Sequence, residues 1–410
     1  MPKNCYDILL ERGFVRQCTD ESAVRNLFQS GPVTAYIGFD PTAQSLHAGS
    51  LVPIMGLMHL ERAGHRPMAL VGGGTGLIGD PSGKTEQRQL LSSELVHENF
   101  RGVAAQLGRF LDFDGGRSQI VNNAEWLEPL NYVSFLREIG RHFSVNRMLS
   151  FESYKQRLEK GLSFLEFNYQ LLQAYDYLVL YKRYGCRLQM GGDDQWGNIV
   201  AGVDLVRRVE GAEVFGLTFP LLTKATGEKM GKTAAGAVWL EPSLLSPYDY
   251  YQYWLNTDDR DVARFLKMFT FLELAEVERL SGLQGADLRD AKAILAWEAT
   301  KICHGEPAAN QARDGALAAF GKGGSVENMP TTEIPASLLG DGVRATEMFV
   351  KVGLCKSNGE AVKLFRSGGG WVGTRVLASH LDEIQPSDFD NGEVVLRAGK
   401  KRRHRLLLTK

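Results

Sequence analysis

At 410 residues, 44% of them hydrophobic and 23% charged, the chain is too long for one compact core and apolar enough to bury a large one, which predicts two or three domains. The absence of a run of about 18 apolar residues argues against a membrane span. The five cysteines (Cys5, Cys18, Cys186, Cys303, Cys355) are odd in number and scattered without zinc-ligand spacing, so reduced thiols in a cytoplasm are expected and no protein-held metal. The N-terminus lacks the long apolar stretch of a signal peptide. The net charge of −1 hides an asymmetry: from Gly342 onward 13 Lys and Arg stand against 7 Asp and Glu. A basic tail on an acidic body points to a nucleic-acid partner for the tail.

In chain order, residues 33–39 (VTAYIGF) read as a buried strand running into a capped turn, 51–62 as a helix and 67–71 as a second strand. That order predicts an α/β fold with a doubly wound parallel sheet of Rossmann-like type. Helices are expected over 92–111, 132–139 and 164–184, a strand over 188–191 and a helix over 197–208. Residues 224–237, rich in Gly, Lys and Thr, read as a mobile loop. A helical block follows over 247–278 and 288–304, then a linker-like stretch at 321–339. Residues 344–371 carry a helical pair, strand-like pieces follow, and then comes the basic run 400–405. The predicted organisation is a catalytic domain at 1–222, a mobile loop at 223–239, a helical domain at 240–325, a linker at 326–341 and a small basic α+β domain at 342–410.

Residues 74–79 (GTGLIG) fit GxGxxG after a strand and raise a dinucleotide-dependent oxidoreductase as a rival reading. That fingerprint needs a helix to begin within it, with its N-terminus facing the pyrophosphate. Here Asp80-Pro81-Ser82-Gly83, all turn formers, come next, and a helix starts only near Thr85. A P-loop fails too, because three residues separate Gly79 from Gly83-Lys84-Thr85 where the motif needs four.

A His-x-Gly (His47-Ala48-Gly49) lies just after the first strand. A lone histidine there is usually solvated, but this one sits at the carboxyl edge of a parallel sheet, where ligands bind. Gly49 lets a flat ring approach the backbone, and His47 can donate to phosphate oxygens at a helix start. The Gly-rich loop contributes Lys229-Met230-Gly231-Lys232-Thr233. Its lysines could be a solvated pair; taken with His47 they look like the other half of a triphosphate clamp.

HAGS and KMGKT resemble the HIGH and KMSKS signatures of class I aminoacyl-tRNA synthetases. With YIGFDPTAQSLHAG, GLIGDPSGK, NYQLLQAYD, GGDDQWGNI and FPLLTKATGEKMGKT, the chain resembles bacterial-type tyrosyl-tRNA synthetases along nearly its whole length. The resemblance implies ligation of tyrosine to tRNA(Tyr) through a tyrosyl-adenylate, with ATP as substrate, Mg2+ accompanying the nucleotide, and a homodimer.

Tyr169, Gln173 and Asp176 are spaced to share one helix face. A carboxylate within AYDYLVL needs a partner, which a structural salt bridge or a phenolic hydroxyl could supply. In the resembled family the residues matching Tyr36 and Asp176 bond the substrate hydroxyl. Those matching Asp80, Tyr169 and Gln173 hold its ammonium. Rejection of phenylalanine then follows from buried polar groups left unpaired, an effect for which tyrosyl-tRNA synthetase is itself the standing illustration. The resemblance further implies ATP contacts at Asp40, Thr42, His47, Gly49, Gly192, Asp194, Gln195 and Lys232. Lys84, Arg88, Lys229, Lys232 and Thr233 would meet the departing pyrophosphate. The tyrosine carboxylate is the nucleophile, so catalysis is by positioning and electrostatics.

Ser50 departs from the signature, which has a second His or an Asn there, and Thr233 departs from literal KMSKS. Residues 345–372 resemble a small RNA-binding module of a ribosomal small-subunit protein. Lys351, Lys356, Lys363 and Arg366 are expected near one surface, with Lys400, Lys401, Arg402 and Arg403 adding phosphate-seeking charge. Tryptophanyl specificity on the same scaffold is opposed by the Tyr36/Asp176 pair and the tail module. A catalytically silent RNA-binding relative is opposed by His47, Lys229 and Lys232.

Overall fold

The computed structural model describes residues 3–82, 90–159, 161–227, 229–233, 236–319, 330–340, 342–399 and 402–409. Lys84, Arg88, Lys400 and Lys401 lie outside them, as does the expected helix start near Thr85.

Six strands form the first sheet: β1 (Gln17–Cys18), β2 (Thr34–Phe39), β3 (Arg66–Val71), β4 (Gln119–Asn122), β5 (Leu188–Gly192) and β6 (Phe215–Phe219). Their order is β1-β6-β5-β2-β3-β4. All neighbours are parallel except the two-residue edge strand β1, which runs antiparallel to β6. The apolar runs of β3 and β6 are buried along nearly their whole length, as expected of parallel strands covered on both faces by helices. Strand order reverses between β2 and β5, so the carboxyl ends of these two strands bound the crevice in which ligands bind in such sheets.

The helix Phe164–Tyr184 has the bounds expected from sequence. Ser163 and Glu166 form a reciprocal capping box at its start, Lys182 and Arg183 occupy its last turn, and Gly185 ends it at φ 62°, each a local signal for its boundaries. Beneath its N-terminus Arg157 and Glu166 form a buried ion pair, 3.0 Å apart and 2% and 5% exposed. The helix expected over 92–111 stops at Leu107. The block 247–278 is three helices, Pro247–Leu255, Val262–Phe269 and Leu274–Ser281. Asp258 interrupts it by accepting from the Arg260 amide. The buried Arg12 guanidinium donates to the carbonyls of Lys267, Thr270 and Leu272, satisfying acceptors that the end of Val262–Phe269 leaves open. The segment 224–237 is not wholly irregular, since β7 (Lys232–Thr233) and β8 (Gly236–Ala237) pair antiparallel.

The chain divides into two compact units, 1–245 with 256–303 and 246–255 with 304–410. The segment 240–325, expected to be one helical domain, is thereby shared between them. The second unit contains the helices Pro247–Leu255 and Glu306–Ala319 and the strands β9 (Thr331–Pro335), β10 (Val343–Arg344), β11 (Gly370–Val372), β12 (Arg375–Leu377), β13 (Glu383–Ile384), β14 (Glu393–Ala398) and β15 (Arg402–Thr409). Five of them form a sheet in the order β12-β11-β14-β15-β9, and β10 pairs with β13. The helices Ala345–Lys351 and Asn358–Arg366 bury Phe349 and Phe365 in one core with Val372, Leu396 and Leu406. Among the described residues no helix is long and apolar enough to cross a membrane, and no group of three or more His, Cys, Asp or Glu is arranged to hold a metal ion.

Candidate active site

The crevice between β2 and β5 opens into a cleft of ≈ 850 Å³ including its mouth, within the size range of small-molecule sites. Tyr36, Asp40, Thr42, Asp80, Tyr169, Gln173, Asp176, Gly192 and Gln195 line it, nine of the residues singled out from sequence. They come from the ends of β2 and β5, the turn after β3 and one face of Phe164–Tyr184.

At its inner end Asp176 is 2% exposed. Its Oδ1 accepts from the Trp126 indole at 2.7 Å and its Oδ2 from the Asn123 amide at 3.0 Å. Burial nonetheless raises the carboxyl pKa from 3.8 to about 7, against those two hydrogen bonds, with Asp40 adding to the rise. Tyr36, 1% exposed, lies close enough for Asp176 to raise the phenol pKa after burial itself. The Tyr36 hydroxyl is buried without a hydrogen-bond partner among the described residues. A buried hydroxyl left unsatisfied is costly; beside a carboxylate with spare lone pairs, it makes a seat for a second hydroxyl.

A polar chain continues outward. Asn123 donates to Thr75 Oγ1 at 3.0 Å, Thr75 donates to Asp40 Oδ1 at 2.9 Å, and the Tyr169 hydroxyl donates to Asp40 Oδ2 at 2.8 Å. Gln195 donates to Asp80 Oδ2 at 2.6 Å, while Asn198 donates to Gln173 Oε1 at 2.9 Å. Three acidic side chains, Asp40, Asp80 and Asp176, thus line one cleft. Gly72, before the GTGLIG stretch, lies so close to this network that a Cβ would fall 2.3 Å from Asp40 Oδ1 and from Thr75 Oγ1. Only a single 3-10 turn, Thr75–Leu77, forms within the fingerprint, so no long helix points at a pyrophosphate there.

His47, Gly49 and Asp194 stand outside this lining. His47 Nδ1 accepts from the Gly49 amide at 3.0 Å, and Met230 is buried beside it while Lys229 is exposed. Lys232 and Thr233 form β7. Ser50 makes no side-chain capping bond at the head of Leu51–Arg62.

The family of class I tRNA synthetases for tryptophan and tyrosine matches residues 29–321. A tyrosine–tRNA ligase of Desulfosudis oleivorans is 56% identical over 98% of this chain and 99% of its own. One from Clostridium kluyveri is 51% identical over 99% of each. The chain belongs to the bacterial tyrosyl-tRNA synthetases of class I. Among solved structures, a C-terminally truncated mitochondrial tyrosyl-tRNA synthetase of Aspergillus nidulans superposes with a TM-score of 0.69 at 30% identity, covering 76% of this chain and 92% of that one.

Sequence reasoning missed three residues of the synthetase's inner pocket, Thr75, Asn123 and Trp126. Asn123 directly follows β4, a strand not among those expected from sequence; Trp126 carries no sequence signal beyond a lone indole. In the second unit Lys351, Lys356, Lys363 and Arg366 are all exposed. Of the basic run, Arg402 and Arg403 lie within the described residues, on β15. Strand alternation turns Arg402 and His404 to the side of the buried Leu406, and Arg403 and Arg405 to the other. Arg402 stands 3.8 Å from Glu360. Burial and Arg397, its register partner on β14, lower the Arg403 pKa.

Proposed function

We propose that this synthetase activates tyrosine with ATP to tyrosyl-adenylate and pyrophosphate, then transfers the tyrosyl group to the terminal adenosine of tRNA(Tyr). The observation that carries the substrate choice is the partnerless Tyr36 hydroxyl beside the Asp176 carboxylate in a buried pocket. A tyrosine hydroxyl there donates to Asp176 and accepts from Tyr36; phenylalanine leaves the Tyr36 hydroxyl unpaired and offers Asp176 no further donor. Asp80, Tyr169 and Gln173 hold the ammonium, a reading supported by the polar lining these three residues give the cleft.

ATP, with Mg2+ as its companion, enters over Asp40, Thr42, His47, Gly49, Gly192, Asp194 and Gln195. The tyrosine carboxylate attacks the α-phosphate, and the leaving pyrophosphate is met by Lys84, Arg88, Lys229, Lys232 and Thr233. These groups stabilise charge that grows on phosphate oxygens in the transition state. The helical segment 240–325 meets the anticodon stem, and the basic domain at 342–410 grips the tRNA through Lys351, Lys356, Lys363, Arg366 and Lys400–Arg403. The enzyme acts in the cytoplasm as a homodimer. Exposed Tyr132, Val133, Leu136, Val145 and Phe164, the last at 70%, supply an apolar surface suited to a second copy.

The test is ATP–pyrophosphate exchange with tyrosine, tryptophan or phenylalanine, followed by tRNA charging. Exchange with tyrosine alone is expected. Exchange driven by tryptophan would assign the other specificity of the family, and no exchange at all would leave only RNA binding.

A further inference from the structure

The two signature segments are stitched together by backbone. The Ala48 amide donates to the Val238 carbonyl at 2.8 Å, Leu240 to Leu46 at 2.9 Å, and Val238 to Gly231 at 2.9 Å. His47 forms an isolated antiparallel bridge with Trp239. Within this ladder Gly231, where literal KMSKS has serine, adopts φ +81°. A Cβ on it would lie 2.5 Å from the Gly49 amide nitrogen and 2.7 Å from His47 Nδ1. Those two atoms are the donor and acceptor of the 3.0 Å bond that orients the His47 ring. The contact is mutual, since a Cβ on Gly49 would lie 2.7 Å from His47 Cε1 and 2.9 Å from the Met230 carbonyl oxygen.

We propose that Gly231 is a positioning residue for adenylate formation, acting through His47. Its bare Cα closes over the Gly49–His47 hydrogen bond and leaves that bond intact. With Nδ1 held as acceptor, the neutral ring carries its proton on Nε2, the nitrogen that can then donate to a phosphate oxygen. Any side chain at 231 must push the ring, the amide or the loop away, and the histidine loses its fixed tautomer and direction. The serine of the literal signature is therefore expected to be harmful in this chain. The inference rests on the adenylate-forming reading given above.

Gly227, in the same loop, supplies the control: it has φ +85°, and a Cβ placed on it would meet none of the described residues within 4 Å. Backbone strain is thus shared by the two positions, whereas contact with His47 belongs to Gly231. Tyrosine-dependent ATP–pyrophosphate exchange is measured for the wild type, Gly227→Ala, Gly231→Ala, Gly231→Ser, His47→Ala and Gly231→Ala/His47→Ala. Both Gly231 variants should lose at least about tenfold in kcat with the tyrosine KM changed by less than about twofold, because the lost contact is one made to the transition state. Gly227→Ala should stay within about twofold of wild type, and Gly231→Ala should cost no more than about twofold further once His47 is gone. Equal losses at 227 and 231, a full additional loss on the His47→Ala background, or loss of tyrosine binding by calorimetry in the Gly231 variants would each overturn the proposal. A wild-type protein without tyrosine-dependent exchange would instead overturn the functional reading, and that result is read before any variant is made.

Discussion

Trp126 and Asp176 are joined by a 2.7 Å hydrogen bond from indole to carboxylate in a site where the acid is 2% exposed. Burial still outweighs that bond, and the carboxyl pKa rises from 3.8 to about 7. The unfolded chain releases this proton near its ordinary pKa while the folded chain keeps it. Asp176 therefore contributes stability at low pH that is lost as pH rises from about 4 to about 7. Thermal unfolding of the ligand-free protein across that range should show Asp176→Asn gaining on wild type as pH rises. Tyrosine, donating to the ionised form, should bind with release of a proton near neutrality, seen as buffer-dependent heat in calorimetry. Parallel stability curves for the two proteins would contradict the buried titration.

Tyr36→Phe and Asn123→Ala separate recognition from support. The Tyr36 hydroxyl has no partner to lose in the ligand-free protein, so Phe should leave stability within about 0.5 kcal/mol while tyrosine-over-phenylalanine preference falls by roughly 1 kcal/mol, about fivefold. Asn123 holds Asp176, Thr75 and the Gly74 amide together. Its loss strands buried groups and should cost about 1–3 kcal/mol in folding stability as well as tyrosine affinity. Denaturant unfolding and competitive exchange assays check both, and a Tyr36→Phe protein as unstable as Asn123→Ala would show that the hydroxyl is satisfied after all.

The buried Arg157–Glu166 pair sits at the head of the helix that carries Tyr169, Gln173 and Asp176. Arg157→Met leaves Glu166 buried without its cation and should destabilise by roughly 3–5 kcal/mol. Replacing both partners with apolar residues of similar size should recover much of that loss. Urea unfolding midpoints of the single and double variants distinguish a stranded charge from simple loss of packing.

A chain ended after residue 319 removes β9 to β15 and spares the first sheet. It should keep tyrosine-dependent exchange and lose tRNA charging. Intact enzyme should bind tRNA with a log–log salt slope of roughly −0.7 to −0.9 for each phosphate neutralised, and the shortened chain with a shallower one. Normal charging by the shortened chain would remove the basic domain from tRNA recognition.

The parallel sheet and the helix Phe164–Tyr184 were legible because their signals are local: buried apolar runs, a capping box and a C-terminal glycine. The residues lining the cleft were legible only through ordered motifs, since Asp40, Asp80 and Asp176 are far apart in sequence and meet by topology. What escaped was set by tertiary contact. Asn123 and Trp126 matter because of the carboxylate they happen to reach. The block 247–278 read as continuous because its aromatic residues mask the Asp258 turn. A count of charges over 400–403 carries no direction, and the twofold alternation of a strand parts Arg402 from Arg403.

β15 lies inside its sheet, between β14 and β9, and it is built from residues 402–409. β9, its parallel neighbour, is made some seventy residues earlier and waits unpaired until then. On a ribosome the first sheet has all its strands once residue 219 has emerged, whereas the basic sheet can close only after residue 409. The first sheet is thus free to form while the basic sheet is still being made. Trimming a handful of residues from that last strand would open the small domain from its middle, not fray its edge.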